Sequence, residues 1–199
     1  MKQNVKEKIS WSAQQLRDRI WPILQMSPMI DVGRLVRVEE HDKLYGTHFT
    51  DLDREDGIDY FIRYEQGGSK GFASRVTKDT FSEFTIRVQK ESGCDTEFQK
   101  RCRSIDQGLT RPVLATHGHV DPVSNRLLSV GVVGSDDLIT FLRQNFDRIT
   151  KKWTNIRDAR FAKIPYTLLK ECGIKVWIWD CNTGIYYTPV DNPQYKEKI

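Results

Sequence analysis

The chain has 199 residues, of which 38% are hydrophobic and 29% charged, and its formal net charge is +4. This length and apolar content suit one globular domain with its own core. The lack of an apolar run of about 18 residues argues against a transmembrane helix. The weak positive charge permits a nucleic-acid partner without requiring one.

Two further features of the composition bear on the compartment. The charged first residues, Met1 to Lys8, lack the apolar stretch of a secretory signal. The cysteines contain no CxxC pair, which argues against a zinc ribbon or a thioredoxin-like site. We therefore expect a cytoplasmic protein with no membrane association and with reduced thiols. The cysteines are Cys94, Cys102, Cys172 and Cys181.

Hydrophobic periodicity predicts the elements of the N-terminal quarter. Apolar residues at helical spacing predict a helix over 10–26, which Pro22 would kink or end. Weak alternation over 32–38 predicts a strand. Residues 41–56 are polar and contain glycine, which is typical of a loop.

Three strands are predicted next, over 58–64, 70–78 and 81–90. Gly67-Gly68 predicts a tight turn between the first two strands. The third strand shows a period of two, with apolar and polar residues alternating from Glu83 to Gln89. We expect 58–90 to form a three-stranded antiparallel core in which sequence neighbours pair.

The remaining half predicts further helices and strands before a frayed polar tail at 189–199. The whole order predicts a single α+β domain over 1–199, α/β-like, with a mixed central sheet and flanking helices. The predicted helices cover 95–107, 136–150 with Ser135 as its cap, and Pro165 to Gly173. The predicted strands cover 112–120, 126–133 and 174–180.

Charged residues inside the three predicted strands indicate a site. Asp59 lies in the first strand of the core, and Arg75 and Arg87 lie in the next two. A charge in a buried strand is costly unless it is paired or bound to a ligand, so we expect all three on one face of the sheet. Two interpretations remain open: Asp59 holds a divalent metal, or it pairs with Arg75 or Arg87 and only stabilises the sheet.

This layout resembles the PD-(D/E)xK nucleases, in which a strand aspartate is followed by an acid-x-lysine triplet on the neighbouring strand. Here Arg75 stands in place of the lysine and Ala73 in place of the second acid. The resemblance implies a restriction-endonuclease-like core, bound Mg²⁺ or Mn²⁺, and catalytic roles for Asp59 and Arg75. The further metal ligand would come from one of three glutamates: Glu40, Glu83 and Glu97.

The same stretch is similar to hypothetical proteins of phages and mobile elements. The similarity lies in Gly57 to Phe61, Ala73-Ser74-Arg75, Phe84 to Arg87 and Thr96 to Arg101. It implies a phage or mobile-element origin and leaves the chemistry open.

Basic residues on the predicted helix 95–107 extend the charged region. Lys100, Arg101 and Arg103, with Arg87 on the preceding strand, suit contacts to nucleic-acid phosphates. The alternative is an ordinary solvated helix face.

A histidine motif follows on the strand 112–120. His117, His119 and Asp121 resemble the H-x-H-x-D-H signature of metallo-β-lactamase-fold hydrolases, but Pro122 replaces the last histidine and no histidine follows. We predict that the segment is not a catalytic metal site.

Aromatic residues cluster near the C-terminus, at Trp177, Trp179, Tyr186 and Tyr187. They are able to stack nucleic-acid bases. The alternative is that they belong to the core or to a self-association surface, as in a homodimer.

Two functions follow from the sequence. The first is metal-dependent cleavage of phosphodiester bonds, with DNA as the substrate: Asp59 and a glutamate hold Mg²⁺ while Arg75 holds the scissile phosphate. The second is a phage-type accessory protein without turnover, which binds nucleic acid or a host protein.

Overall fold

A computed structural model describes residues 5–31, 33–37, 58–90, 93, 95–150, 154–156 and 159–187. The expected loop at 41–56, the tail at 189–199 and Glu40 lie outside these residues. The helices are α1 (Val5–Gln15), a π-helical segment (Leu16–Ile20), α2 (Trp21–Leu24), α3 (Glu97–Gln107), α4 (Ser135–Gln144), α5 (Phe146–Thr150) and α6 (Tyr166–Glu171). The strands are β1 (Arg34–Arg37), β2 (Tyr60–Arg63), β3 (Ser69–Lys78), β4 (Glu83–Lys90), β5 (Leu114–Val120), β6 (Leu127–Gly134), β7 (Thr154–Ile156), β8 (Ala159–Pro165), β9 (Val176–Asp180) and β10 (Gly184–Tyr187).

The predicted N-terminal helix is confirmed, as three consecutive helical segments. Pro22 lies in the first turn of α2, where its missing N–H costs no bond within that segment. The chain passes from α1 to α2 through the π-helical segment, in which Leu16 and Ile20 are buried. Leu16 and Ile20, with Leu24 of α2, belong to the hydrophobic cluster on one face of the large sheet.

Of the described strands, seven form one mixed sheet in the order β1-β2-β3-β5-β6-β9-β10. Strand β3 pairs with β5 in parallel, and all other described neighbours in this sheet are antiparallel. The predicted hairpin between β2 and β3 is confirmed. Gly67 and Gly68 both have positive φ angles, of 93° and 85°, which glycine adopts without strain.

The predicted three-stranded antiparallel core over 58–90 is wrong in its third strand. Strand β4 leaves the large sheet and joins a three-stranded sheet in the order β4-β8-β7, where Phe84 pairs with Ile164 and Ile86 with Ala162. A period of two shows which face of a strand is buried but not which strand lies beside it. The place beside β3 is taken by β5.

The large sheet lies between two hydrophobic clusters, because successive strand residues point to opposite faces. Val132 and Trp177 pack with the N-terminal helices. Their sequence neighbours Val133 and Val176 pack with the small sheet and with helices α3, α4 and α6. The domain is thus layered, and polar residues of the second face of the large sheet meet the edge of β4.

The predicted α+β class with a mixed sheet and flanking helices is confirmed. The two predicted helices after β6 are also present: 136–150 divides into α4 and α5, and α6 ends beside Gly173. Within the described part of the chain, no helix has the length and apolar character needed to cross a membrane.

Candidate functional site

A cavity of about 390 Å³ lies between β3, β4 and the first turn of α3. We call it the Glu97 cavity. The cationic side chains among its described lining residues are Arg75, Arg87, Lys90, Lys100 and Arg101. The carboxylates among them are Asp59, Asp95 and Glu97. The lining therefore has an excess of two positive charges, and it includes Asp59, Arg75 and Arg87, the charged strand residues that the sequence singled out.

Glu97 joins two of these arginines. Its Oε2 accepts a hydrogen bond from Nη2 of Arg75 at 2.9 Å, and its Oε1 lies 2.9 Å from Nη2 of Arg101. Burial raises the pKa of Glu97, but the charges of the two guanidiniums and the backbone N–H of Arg87 oppose it, and the net pKa is lowered. Glu97 is therefore a carboxylate that holds two arginines in fixed positions.

Arg101 is the most buried of the cavity's cations. Its side chain is 6% exposed, and its Nη1 donates to Oγ of Ser135 at 3.1 Å. Its Nε atom is buried and has no hydrogen-bond partner among the described residues. The expected place of Arg101 on a basic helix surface is therefore corrected: the side chain points inward from α3.

Arg75 and Arg87 approach the cavity from the two sheets. Arg75 donates from Nη1 to the carbonyl oxygen of Thr85 at 2.9 Å. The guanidinium carbons of Arg75 and Arg87 lie 5.4 and 5.5 Å from the ring centre of Phe161, within the range of a cation–π contact. The Nε atom of Arg87 is also buried without a partner in the described part of the chain.

Asp59 lies just before β2 and continues its ladder, since its backbone N–H donates to the carbonyl oxygen of Phe72. Its Oδ2 accepts from the backbone N–H of Ser74 at 2.7 Å. The structure thus brings Asp59, Arg75 and Arg87 to one cavity, although from two sheets rather than one sheet face.

The acids expected to bind a metal are not gathered into one ligand set. Asp59 and Glu97 both line the cavity, but Glu83 does not; it forms an ion pair with Lys163 at 3.0 Å. Among the described residues, no group of three or more His, Cys, Asp or Glu side chains is placed to hold a metal ion. The described residues therefore contain no such ligand set for the expected Mg²⁺ or Mn²⁺.

The other basic and aromatic candidates are spread over the molecule. Lys100 lines the cavity, whereas Arg103 pairs with Asp95. Trp177 is buried in the core, at 1% exposure. Tyr186 lies beneath Lys170, whose Nζ is 3.8 Å from the ring centre. Of the aromatic cluster, Trp177, Trp179 and Tyr186 have described side chains, and none of the three lines the Glu97 cavity.

The two histidines of β5 form hydrogen bonds with backbone groups on the edge of β4 that faces the large sheet. Nδ1 of His117 accepts from the backbone N–H of Thr85 at 3.3 Å, and Nε2 of His119 donates to the carbonyl oxygen of Glu83 at 2.8 Å. Nδ1 of His119 also contacts the carboxylate of Asp79. These contacts give both histidines a structural role between the two sheets.

The tautomer of His117 follows from its contacts. Burial lowers the pKa of His117 well below 6.5, and electrostatic repulsion from His119 and Arg75 lowers it further. The ring is therefore neutral. Since Nδ1 accepts from Thr85, the proton lies on Nε2, which donates to Oγ1 of Thr77 at 2.9 Å.

Two residues of the site were not found from the sequence. Ser135 was expected to cap α4, but the cap residue is Gly134 and the Ser135 hydroxyl bonds to Arg101. Phe161 lies in β8, a strand whose sequence carries no clear alternation. The sequence around Ser135 and around Phe161 indicates only local structure. The roles of these residues in the site depend on contacts between segments that lie far apart in the chain.

Comparison of the chain with protein-family models, curated proteins and solved structures finds no match in any of the three.

Proposed function

We propose that this protein binds nucleic acid and seats a phosphate group in the Glu97 cavity. The observation that carries the proposal is the pair of buried guanidinium Nε atoms, on Arg87 and Arg101, without hydrogen-bond partners among the described residues. A buried donor without an acceptor costs about 1–3 kcal/mol. An anion that accepts from both would remove this cost.

The charge of the cavity supports the same ligand. Its excess of two positive charges favours an anion, and guanidinium groups bind phosphate through paired N–H donors. Arg75 and Arg101 are already oriented by Glu97, so binding would immobilise few additional side-chain rotamers. The positive net charge of the chain, +4, favours approach of a polyanion.

Metal-dependent cleavage of DNA by Asp59 and Arg75, the first function expected from sequence, remains a prediction with less support. Arginine stays protonated and does not act as a base. The carboxylates of the cavity are used to hold arginine and backbone N–H groups. We therefore place binding before turnover.

Fluorescence anisotropy with a labelled single-stranded DNA tests the proposal. Arg75→Ala should weaken binding about tenfold or more, the loss expected for one charge-assisted phosphate contact. It should also reduce the slope of log K against log salt by about one. Arg143→Ala is the matched control, because it removes one charge from an arginine that pairs with Asp106 and does not line the cavity.

Equal losses in the two variants would show that only net charge matters and would contradict a phosphate site in the cavity. Wild-type protein that binds no nucleic acid at low salt would overturn the proposal. Incubation of the same DNA with Mg²⁺ or Mn²⁺ tests cleavage, and cut product that Asp59→Asn abolishes would restore the nuclease interpretation.

A further inference from the structure

The depth of Arg101 in the Glu97 cavity limits which phosphate reaches it. Arg101 is 6% exposed, and the cavity floor includes the buried side chains of Phe84, Ile86 and Leu138. An internal phosphodiester carries a sugar on both sides, so the strand must enter and leave the cavity around it. A terminal phosphate enters with one nucleotide behind it.

The charge of the cavity distinguishes the same two groups. Five cationic side chains and three carboxylates line it among the described residues, an excess of two positive charges. A phosphate monoester carries about −1.5 to −2 charges at pH 7 and has three free oxygens. An internal phosphodiester carries one negative charge and has two. The monoester is therefore the closer match in charge and in acceptors.

The two arginines whose Nε atoms lack partners belong to different elements that line the cavity. Arg101 reaches the cavity from α3 and Arg87 from β4, and the Nε of each lacks a partner in the described part of the chain. A single ligand group accepts from both Nε atoms only if its acceptor atoms point in different directions. The three oxygens of a phosphate monoester diverge in this way.

The volume of the cavity agrees with a ligand of this size. It measures about 390 Å³, within the range of about 300–1,000 Å³ typical of small-molecule sites. Lys90 and Lys100, which are half-buried, also line the cavity and add positive charge near the adjacent phosphates of the strand.

We propose that the Glu97 cavity takes the phosphorylated end of a single nucleic-acid strand, as a terminal phosphate monoester with its nucleotide, in preference to an internal phosphodiester. This inference rests on the proposed function. The cavity selects a phosphate monoester at either the 5′ or the 3′ end of the strand. The experiment below shows which of these two ends is preferred.

Isothermal titration calorimetry with four DNAs of one sequence tests the inference. One strand carries a 5′ phosphate, one a 3′ phosphate and one hydroxyls at both ends, and the fourth is circular. At least one phosphorylated strand should bind about tenfold or more tightly than the strand with two hydroxyl ends. The circular strand should bind as weakly as the hydroxyl-ended strand. Inorganic phosphate should compete with the preferred end.

Arg87→Lys identifies the source of the preference. Lysine keeps the charge but lacks the guanidinium fork and its Nε donor, so the preference for the phosphorylated end should fall severalfold while binding of the circular DNA persists. Arg101→Met removes the Nε donor of Arg101 and should also reduce the preference for the phosphorylated end. Circular dichroism and the unfolding midpoint establish that each variant is folded.

The outcomes separate this inference from the proposed function. Equal affinity for all four DNAs, still weakened by Arg75→Ala, would keep nucleic-acid binding and overturn the end preference. No binding of any DNA would overturn both. A preference for the phosphorylated end that survives intact in folded Arg87→Lys and Arg101→Met proteins would place its source outside the cavity and also overturn the inference.

Discussion

The substitution Glu97→Gln tests how the arginines of the cavity are held. It keeps the shape of the side chain and removes the charge that faces Arg75 and Arg101. Removing one partner of a buried ion pair costs about 3–5 kcal/mol, because the other charge stays buried. Glu97 is 23% exposed and glutamine still accepts a hydrogen bond, so we expect the lower end, about 3 kcal/mol at pH 7.

Urea unfolding measures this loss. With a slope near 3 kcal/mol per molar urea, the upper part of the range for small proteins, the midpoint should fall by about 1 M. Asp106→Asn is the matched control on the same helix, because Asp106 also pairs with an arginine, Arg143, but both side chains are about half exposed. Its midpoint should change far less, since exposed ion pairs contribute little.

The pH dependence gives a second check. The pKa of Glu97 is lowered in the folded protein, so its stabilising effect is complete above the unfolded pKa of about 4.3 and is lost as the pH falls through the folded pKa. The difference between wild type and Glu97→Gln should therefore narrow in acid. A midpoint shift no larger than that of Asp106→Asn, or a difference that widens in acid, would refute the reasoning.

Two further predictions concern the large sheet. A Cβ on Gly131 would lie 2.6 Å from ring atoms of Tyr166, so Gly131→Ala should cost about 1–3 kcal/mol by urea unfolding. A Cβ on Gly118 would meet the terminal methyl group of Ile20 at 2.4 Å. Because this methyl group can move by a rotation of its own side chain and a ring cannot, Gly118→Ala should cost less, and the reverse order would contradict this. The pKa of His117 is well below 6.5, so from pH 6.5 downward the unfolded chain gains a proton that the folded one does not, and stability falls by up to about 1.4 kcal/mol per pH unit. His117→Asn should remove this part of the slope between pH 7 and 5, and unchanged slopes would count against a neutral buried ring.

The sequence predicted those residues of the site whose charges would be costly to bury without a partner. Asp59, Arg75 and Arg87 stood out because charges in apolar strands need partners, and they do line one cavity. Glu97 was considered only as a metal ligand, whereas its hydrogen-bonded partners are arginines. Its role could not be read from spacing, since the carboxylate of a helix and the guanidinium of a strand meet only after the layers pack.

The pairing of strands was the weaker part of the prediction. The turn chemistry of Gly67-Gly68 gave the correct hairpin because a tight turn fixes its two neighbours. No comparable signal follows Lys78, and β4 joins β8, a strand that lies about 70 residues further along the chain. Arg101 was assigned to the surface because charged helix residues are mostly exposed, whereas its side chain is 6% exposed and contacts Glu97 and Ser135.

The edge of β4 that faces the large sheet has a consequence for how the molecule avoids association. A strand edge with open backbone groups is a template for pairing with another chain. Here the side chains of His117, His119, Arg75 and Glu97 occupy backbone groups along that edge. This protection depends on a neutral His117, since a charged ring has no lone pair for the N–H of Thr85. Protonation of His117 would therefore remove the acceptor of the Thr85 N–H and leave one backbone donor of this edge open to pairing with another chain.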